Sequence, residues 1–180
     1  NFFRNPIYAL NDAGEEILAY ALTASGRAHY DRNFAMVLGG GGFNADKVMP
    51  HLAAQWMKSG ALTIEAFLAP LDLAQPEPGV LLWFGTDGSL NFALQQVKNK
   101  ILLLLLAGTG LPKAPVELCT LEDAKPFHLI VTYANGSLVC YKNGKEVARP
   151  KGVTGDFKKW DTTHMILAFG NDWQGTHGSG

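Results

Sequence analysis

His128-Leu-Ile-Val-Thr-Tyr133, Ala134-Asn-Gly-Ser137, Leu138-Val-Cys-Tyr-Lys142, Asn143-Gly144 and Lys145-Glu-Val147 follow one another without a break, and this stretch decides the fold. Two apolar runs flank Asn135-Gly136, a dipeptide that tolerates positive φ at both central positions of a tight hairpin turn. A second such turn follows at Asn143-Gly144, so three short strands fold back in series. The next segment, Gly155-Asp-Phe-Lys-Lys-Trp-Asp161, is polar and irregular.

Outward from these hairpins the chain is nearly all strand and turn. Leu62-Thr-Ile-Glu-Ala-Phe-Leu68 alternates, with Leu62, Ile64, Ala66 and Leu68 on one face and Thr63, Glu65 and Phe67 on the other. Phe34–Leu38, Val80–Phe84, Asn91–Val97, Ile101–Ala107, Val116–Thr120 and Met165–Phe169 are further strand candidates, separated by turn-forming residues. Residues 17–22 read as a strand or a helical turn, and residues 1–16 as irregular. One short helix is expected near residues 50–58, with Pro50 in its first turn and Gly60 as its stop. Leu52 and Trp56 share one face of that helix at i,i+4 spacing, which suits packing on a sheet edge. About ten strands at this spacing predict an all-β, antiparallel two-sheet β-sandwich of jelly-roll type. No repeat or boundary divides it, so one domain is expected.

The composition narrows the function classes. A formal net charge of −1 argues against nucleic acid, since phosphate binding needs a basic excess. The run Ile101–Ala107 is too short for a membrane span, which needs about 20 apolar residues, so no membrane insertion is expected. The N-terminal residues do not read as a signal peptide. Two cysteines are too few for a disulfide framework. They stand either as buried free thiols or as a Cys119–Cys140 bridge.

Taken in order, Ala61-Leu-Thr-Ile-Glu-Ala-Phe-Leu-Ala-Pro70, Leu81-Leu-Trp-Phe-Gly85, Asn91-Phe-Ala-Leu94, His128-Leu-Ile-Val-Thr-Tyr133, Tyr141-Lys-Asn-Gly-Lys145 and Gly170 with Trp173-Gln-Gly175 resemble laminin-G-like domains of the concanavalin A-like lectin/glucanase superfamily. The resemblance implies a sandwich over residues 34–180, preceded by an irregular N-terminal segment and first strand over 1–33. It implies an extracellular or periplasmic location within a longer polypeptide, often with enzymatic or haem-bearing parts. At His128 such domains usually carry a histidine, read here as structural. Related domains often place an Asp-Gly that serves calcium after the strand matching Phe34–Leu38. Here Gly39-Gly-Gly-Gly42 stands instead and reads as a flexible turn.

The superfamily includes glycoside hydrolases and lyases, so catalysis is weighed first. Retaining glycosidases need two carboxylates about 5–5.5 Å apart. Glu65 is the only acid in the central strands and Glu117 stands alone, so no enzyme is expected. A lyase would need a grouped His–Tyr pair, and none has a convincing strand position. For calcium (Ca2+), the candidate oxygen ligands are Asp87 with Asn91, and Asn171 with Asp172, which serve equally as turn residues. Carbohydrate binding needs aromatic faces beside loop amides and carboxylates. Trp160-Asp161 and Asn171-Asp172-Trp173 fit that description, while Trp83 faces either the concave sheet or the core. The expected function is a non-catalytic recognition module with a glycan or protein partner, besides the other domains of the parent polypeptide. Cementing a larger complex is the alternative, and a glycan-active enzyme comes third.

Overall fold

The computed structural model of the chain describes residues 7–10, 16–86, 88–108 and 114–170. Its strands are β1 (Ile7–Leu10), β2 (Glu16–Tyr20), β3 (Leu22–Ser25), β4 (His29–Tyr30), β5 (Met36–Val37), β6 (Gly42–Ala45), β7 (Ala61–Leu68), β8 (Gly79–Thr86), β9 (Ser89–Val97), β10 (Lys100–Leu105), β11 (Val116–Thr120), β12 (Phe127–Ala134), β13 (Ser137–Lys142), β14 (Lys145–Ala148) and β15 (Ile166–Phe169). Among the described residues a single helix, α1 (Pro50–Ser59), precedes β7.

Two antiparallel sheets form the sandwich, one of seven strands in the order β11-β10-β9-β8-β15-β6-β3 and one of four in the order β14-β13-β12-β7. Their inner faces supply one continuous core, with Phe43, Phe84, Phe92, Leu94 and Leu103 from the larger sheet meeting Leu62, Ile64, Leu129, Val131 and Tyr133 from the smaller. The expected hairpins form as the sequence dictates. Asn135 and Gly136 lie at φ 50° and 77°, and Asn143 and Gly144 at 52° and 77°, the left-handed pair that a two-residue turn requires.

The helix also forms where its signals place it. Gly60 adopts φ 64° and its N–H closes the last turn on Trp56 O, while Trp56 leans edge-on against Phe84 at 5.2 Å between ring centroids. That contact docks the helix on the rim of the core, as the Leu52/Trp56 spacing implies.

The N-terminal third differs from the sequence reading. Ile7–Leu10, expected to be irregular, pairs with Glu16–Tyr20. The strand expected over Phe34–Leu38 shrinks to Met36–Val37, because Phe34 sits at φ 62° in a turn. The four glycines are not loose. Gly42 opens β6, a strand the sequence reading did not foresee, and a Cβ on Gly41 would lie 2.2 Å from Ser25 O and 2.6 Å from Ala28 N. Only glycine lets these two backbone segments touch.

Candidate functional site

The loop after β14 brings Trp160 and Asp161 to the end of the sandwich, but not as a ligand platform. Trp160 is 4% exposed. One ring face stacks on Phe157 at 4.2 Å, Phe92 lies at 5.9 Å, and Trp56 meets it edge-on at 5.9 Å. Its indole N–H donates to Leu106 O at 2.6 Å. Both the faces and the polar edge are spent, so the expectation that Trp160 stacks on a ligand is corrected: the ring is core. A tryptophan buries so much apolar area that packing competes strongly with exposure.

Asp161 is likewise turned inward on its own loop. Its Oδ1 accepts from Thr163 N–H at 2.7 Å, Thr163 Oγ1–H at 2.9 Å and His164 N–H at 3.2 Å, and its Oδ2 lies 3.0 Å from His164 Nδ1. Partial burial alone would raise its pKa. The bonds from Thr163 and His164 outweigh that and hold it down to about 2. This geometry caps a turn.

Asn91 is fully buried in β9. Its amide N–H donates to Asp161 O at 3.0 Å, its own backbone carbonyl accepts from Leu106 N–H at 2.8 Å, and its Oδ1 is buried without a partner among the described residues. Among the described residues no three His, Cys, Asp or Glu side chains converge. Asn91 instead links β9 to the Trp160–Asp161 loop. Asp87, Asn171, Asp172 and Trp173 lie outside the described residues.

A different surface gathers recognition chemistry. Alternation along β7 and β12 buries Leu62, Ile64, Leu129 and Val131, so Thr63, Glu65 and Phe67 share the outer face with His128, Ile130 and Thr132. Register sets them in rows: Phe67 opposite His128, Glu65 opposite Ile130, Thr63 opposite Thr132. Tyr141 of β13 lies opposite Ile130 on the other side and joins the same face. Phe67 is 74% exposed. His128 Nε2 lies 2.8 Å from Glu65 Oε1, a diagonal cross-strand contact in which the carboxylate accepts. The turn residue Asn143 fixes the backbone beneath it, accepting from His128 N–H at 2.9 Å and donating its own N–H to His128 O at 2.8 Å.

The structural reading of His128 is consistent with its bonds to Glu65 and Asn143. His128 presents its ring on the outer face, with Tyr141 on the adjacent strand. Beside Tyr141, Glu146 accepts two hydrogen bonds from the Arg149 guanidinium, at 3.0 and 2.8 Å. The sequence signal for this face was the alternation Thr63-Glu65-Phe67. That alternation alone does not name the neighbouring strand that completes the face.

Of the two positions expected for Trp83, the core is not the one it takes. It lies outside the core cluster, in a transverse row Leu104–Ala93–Trp83–Ala168–Asn44 on the outer face of the larger sheet. The indole lies against Gly85, where a Cβ would sit 2.7 Å from Trp83 Nε1. Among the described residues, the Trp83 N–H and Asn44 Oδ1 are both buried without a partner.

The fold is that of a two-layer antiparallel β-sandwich. Residues 41–180 match the laminin G-like family described as the concanavalin A-like lectin/glucanases superfamily, and the chain belongs to that family. No curated protein matches the sequence. Among solved structures, the fold is similar to the binding domain of botulinum neurotoxin serotype D/C VPI 5993, with a TM-score of 0.64, 13% identity, and coverage of 91% of this chain and 42% of that one. It is also similar to the neurotoxin DC binding domain in complex with rat synaptotagmin II, at 0.62, 13%, 91% and 43%. A third is a botulinum neurotoxin type C structure whose description makes cell uptake dependent on two ganglioside molecules, at 0.62, 14%, 91% and 42%. The chain thus spans under half the length of these structures, and the likeness shows the fold.

Proposed function

We propose that the chain is a non-catalytic recognition module that binds carbohydrate through the outer face of the four-stranded sheet, within a larger extracytoplasmic protein. The observation that carries this is Phe67, 74% exposed on a sheet face beside the His128–Glu65 pair. An exposed ring offers an apolar platform to the C–H face of a sugar, while neighbouring His, Glu and Thr groups supply donors and acceptors for its hydroxyls. The family is one of lectins and glucanases, and similar folds include domains described as bound to a protein or dependent on gangliosides. These facts support a binding module and leave the choice of glycan to experiment.

The test is a glycan array with the chain, followed by titration calorimetry on the best ligand. Phe67→Ala is expected to weaken binding at least tenfold, about 1.4 kcal/mol, with little change in melting temperature because the ring is exposed. Glu65→Gln is expected to weaken it as well. A blank array, or an unchanged affinity in Phe67→Ala, refutes the proposal. Release of unsaturated sugar products from an acidic polysaccharide would overturn the non-catalytic part. Burial of Phe67 against another domain of the parent protein, without glycan binding, would favour the assembly role instead.

A further inference from the structure

The face that carries Phe67 is acidic at its open end. From β7 and β12 it takes Thr63, Glu65, Phe67, His128, Ile130 and Thr132, a set with one carboxylate and no lysine or arginine. The Glu65 side chain is 64% exposed, and among the described residues only its Oε1 is taken up, by His128 Nε2 at 2.8 Å. His128 lies opposite Phe67, so its diagonal reach to Glu65 holds the carboxylate beside the exposed ring. Basic side chains elsewhere on the small sheet and its loops are engaged. The Arg149 guanidinium gives two bonds to Glu146 and one to Ser137 Oγ at 3.4 Å. The Lys142 ammonium lies over the ring of Phe127, a core residue, and Lys125 pairs with Asp123 at 2.6 Å.

We infer that this site selects uncharged glycans, chains of neutral hexoses, and rejects those bearing carboxylate or sulfate groups, with Glu65 as the residue that sets the choice. The inference rests on the carbohydrate-binding reading of this face and gives that reading a ligand class. Phe67 and Glu65 stand two residues apart on one face of a strand. A sugar seated by its C–H face on the ring therefore brings hydroxyls to Glu65 Oε2, where O–H···O⁻ bonds are short and roughly twice as strong as bonds between neutral groups. An anionic substituent at the same place meets a like charge, and it gives up water with no cation to replace it. Discrimination then comes as much from the repelled ligand as from the favoured one. His128 is a positioning residue. It fixes one carboxylate oxygen, while Asn143 accepts from its N–H and donates to its carbonyl.

The test is titration calorimetry with the whole chain at about pH 8, where an ordinary histidine is uncharged. The probes are the leading neutral hexose oligosaccharide of the glycan array and its sulfated and uronate forms. The uncharged form should bind about tenfold more tightly than either anionic form at about 20 mM salt. That ratio should narrow as salt rises to about 500 mM, because charges are then screened beyond about 4 Å. Glu65→Gln keeps the shape and removes the charge; it should weaken binding of the uncharged form and lose most of the discrimination. Should that variant fold poorly, the salt dependence of the unmodified chain still decides. An array led by acidic glycans, anionic forms bound as tightly as the uncharged one, or a ratio that neither salt nor Glu65→Gln moves would overturn the inference and leave the face standing as a carbohydrate site. A blank array would take away site and class together.

Discussion

Replacing Asp161 with Asn separates a ligand-binding role from a turn-capping one. The carboxylate collects bonds from Thr163 and His164 that hold its pKa near 2, against an ordinary 3.8. That difference corresponds to about 2.4 kcal/mol between the charged and neutral forms. The side chain is 27% exposed, so solvent screening reduces the share that reaches stability to about 1–2 kcal/mol. The folded-state value lies below the unfolded one. The stabilisation is therefore complete above pH 3.8 and is lost as pH falls toward 2. Asp161→Asn does not titrate. Urea unfolding of both proteins from pH 7 to pH 2 should show the parent's advantage shrinking by about 1–2 kcal/mol across that window, or about 0.5–1 M in midpoint. Glycan affinity at pH 7 should not change. A stability gap that stays constant with pH, or a loss of binding without loss of stability, would refute the capping argument.

Two further substitutions probe the frame. Trp160→Phe keeps an aromatic core but leaves Leu106 O without its donor, and is expected to cost about 1–3 kcal/mol by urea unfolding while sparing glycan affinity. Gly41→Ala forces a Cβ to within 2.2 Å of Ser25 O, so the β3–β6 pairing must shift; a loss above about 2 kcal/mol, read from thermal melts, is expected.

The hairpins at Asn135-Gly136 and Asn143-Gly144, the alternation of Leu62–Leu68 and the Pro50/Gly60 helix signals are all local, and all reappear in the structure. Local signals fail where long-range packing decides. Gly41 reads as slack in a sequence, yet its lack of a side chain is set by Ser25 and Ala28, distant in the chain. Phe34 looks like a strand residue until its backbone is seen at φ 62°. Trp160 shows the same limit. Tryptophan beside Asp is a fair sign of a sugar platform, but Trp160 meets Phe157, Phe92 and Trp56, none adjacent to it in sequence. The pairing of His128 with Glu65 depends on β7 lying beside β12, a topology no local pattern encodes.

The outer face of the smaller sheet admits a purely protective reading, and one residue argues against it. β7 is an edge strand, and edges are commonly guarded by charge to prevent pairing with another chain. Glu65, hydrogen-bonded to His128, serves that purpose. Phe67 does the opposite: a large exposed ring on an edge strand makes unwanted association easier, and at 74% exposure it returns little to folding. Tyr141 and Ile130 extend the same face, so the ring is not an isolated surface hydrophobe. Edge protection accounts for Glu65 and folding accounts for Ile64, but neither accounts for Phe67. A ligand or partner that covers it does, which is why the exposed ring, and not the buried tryptophan, is where recognition should be sought.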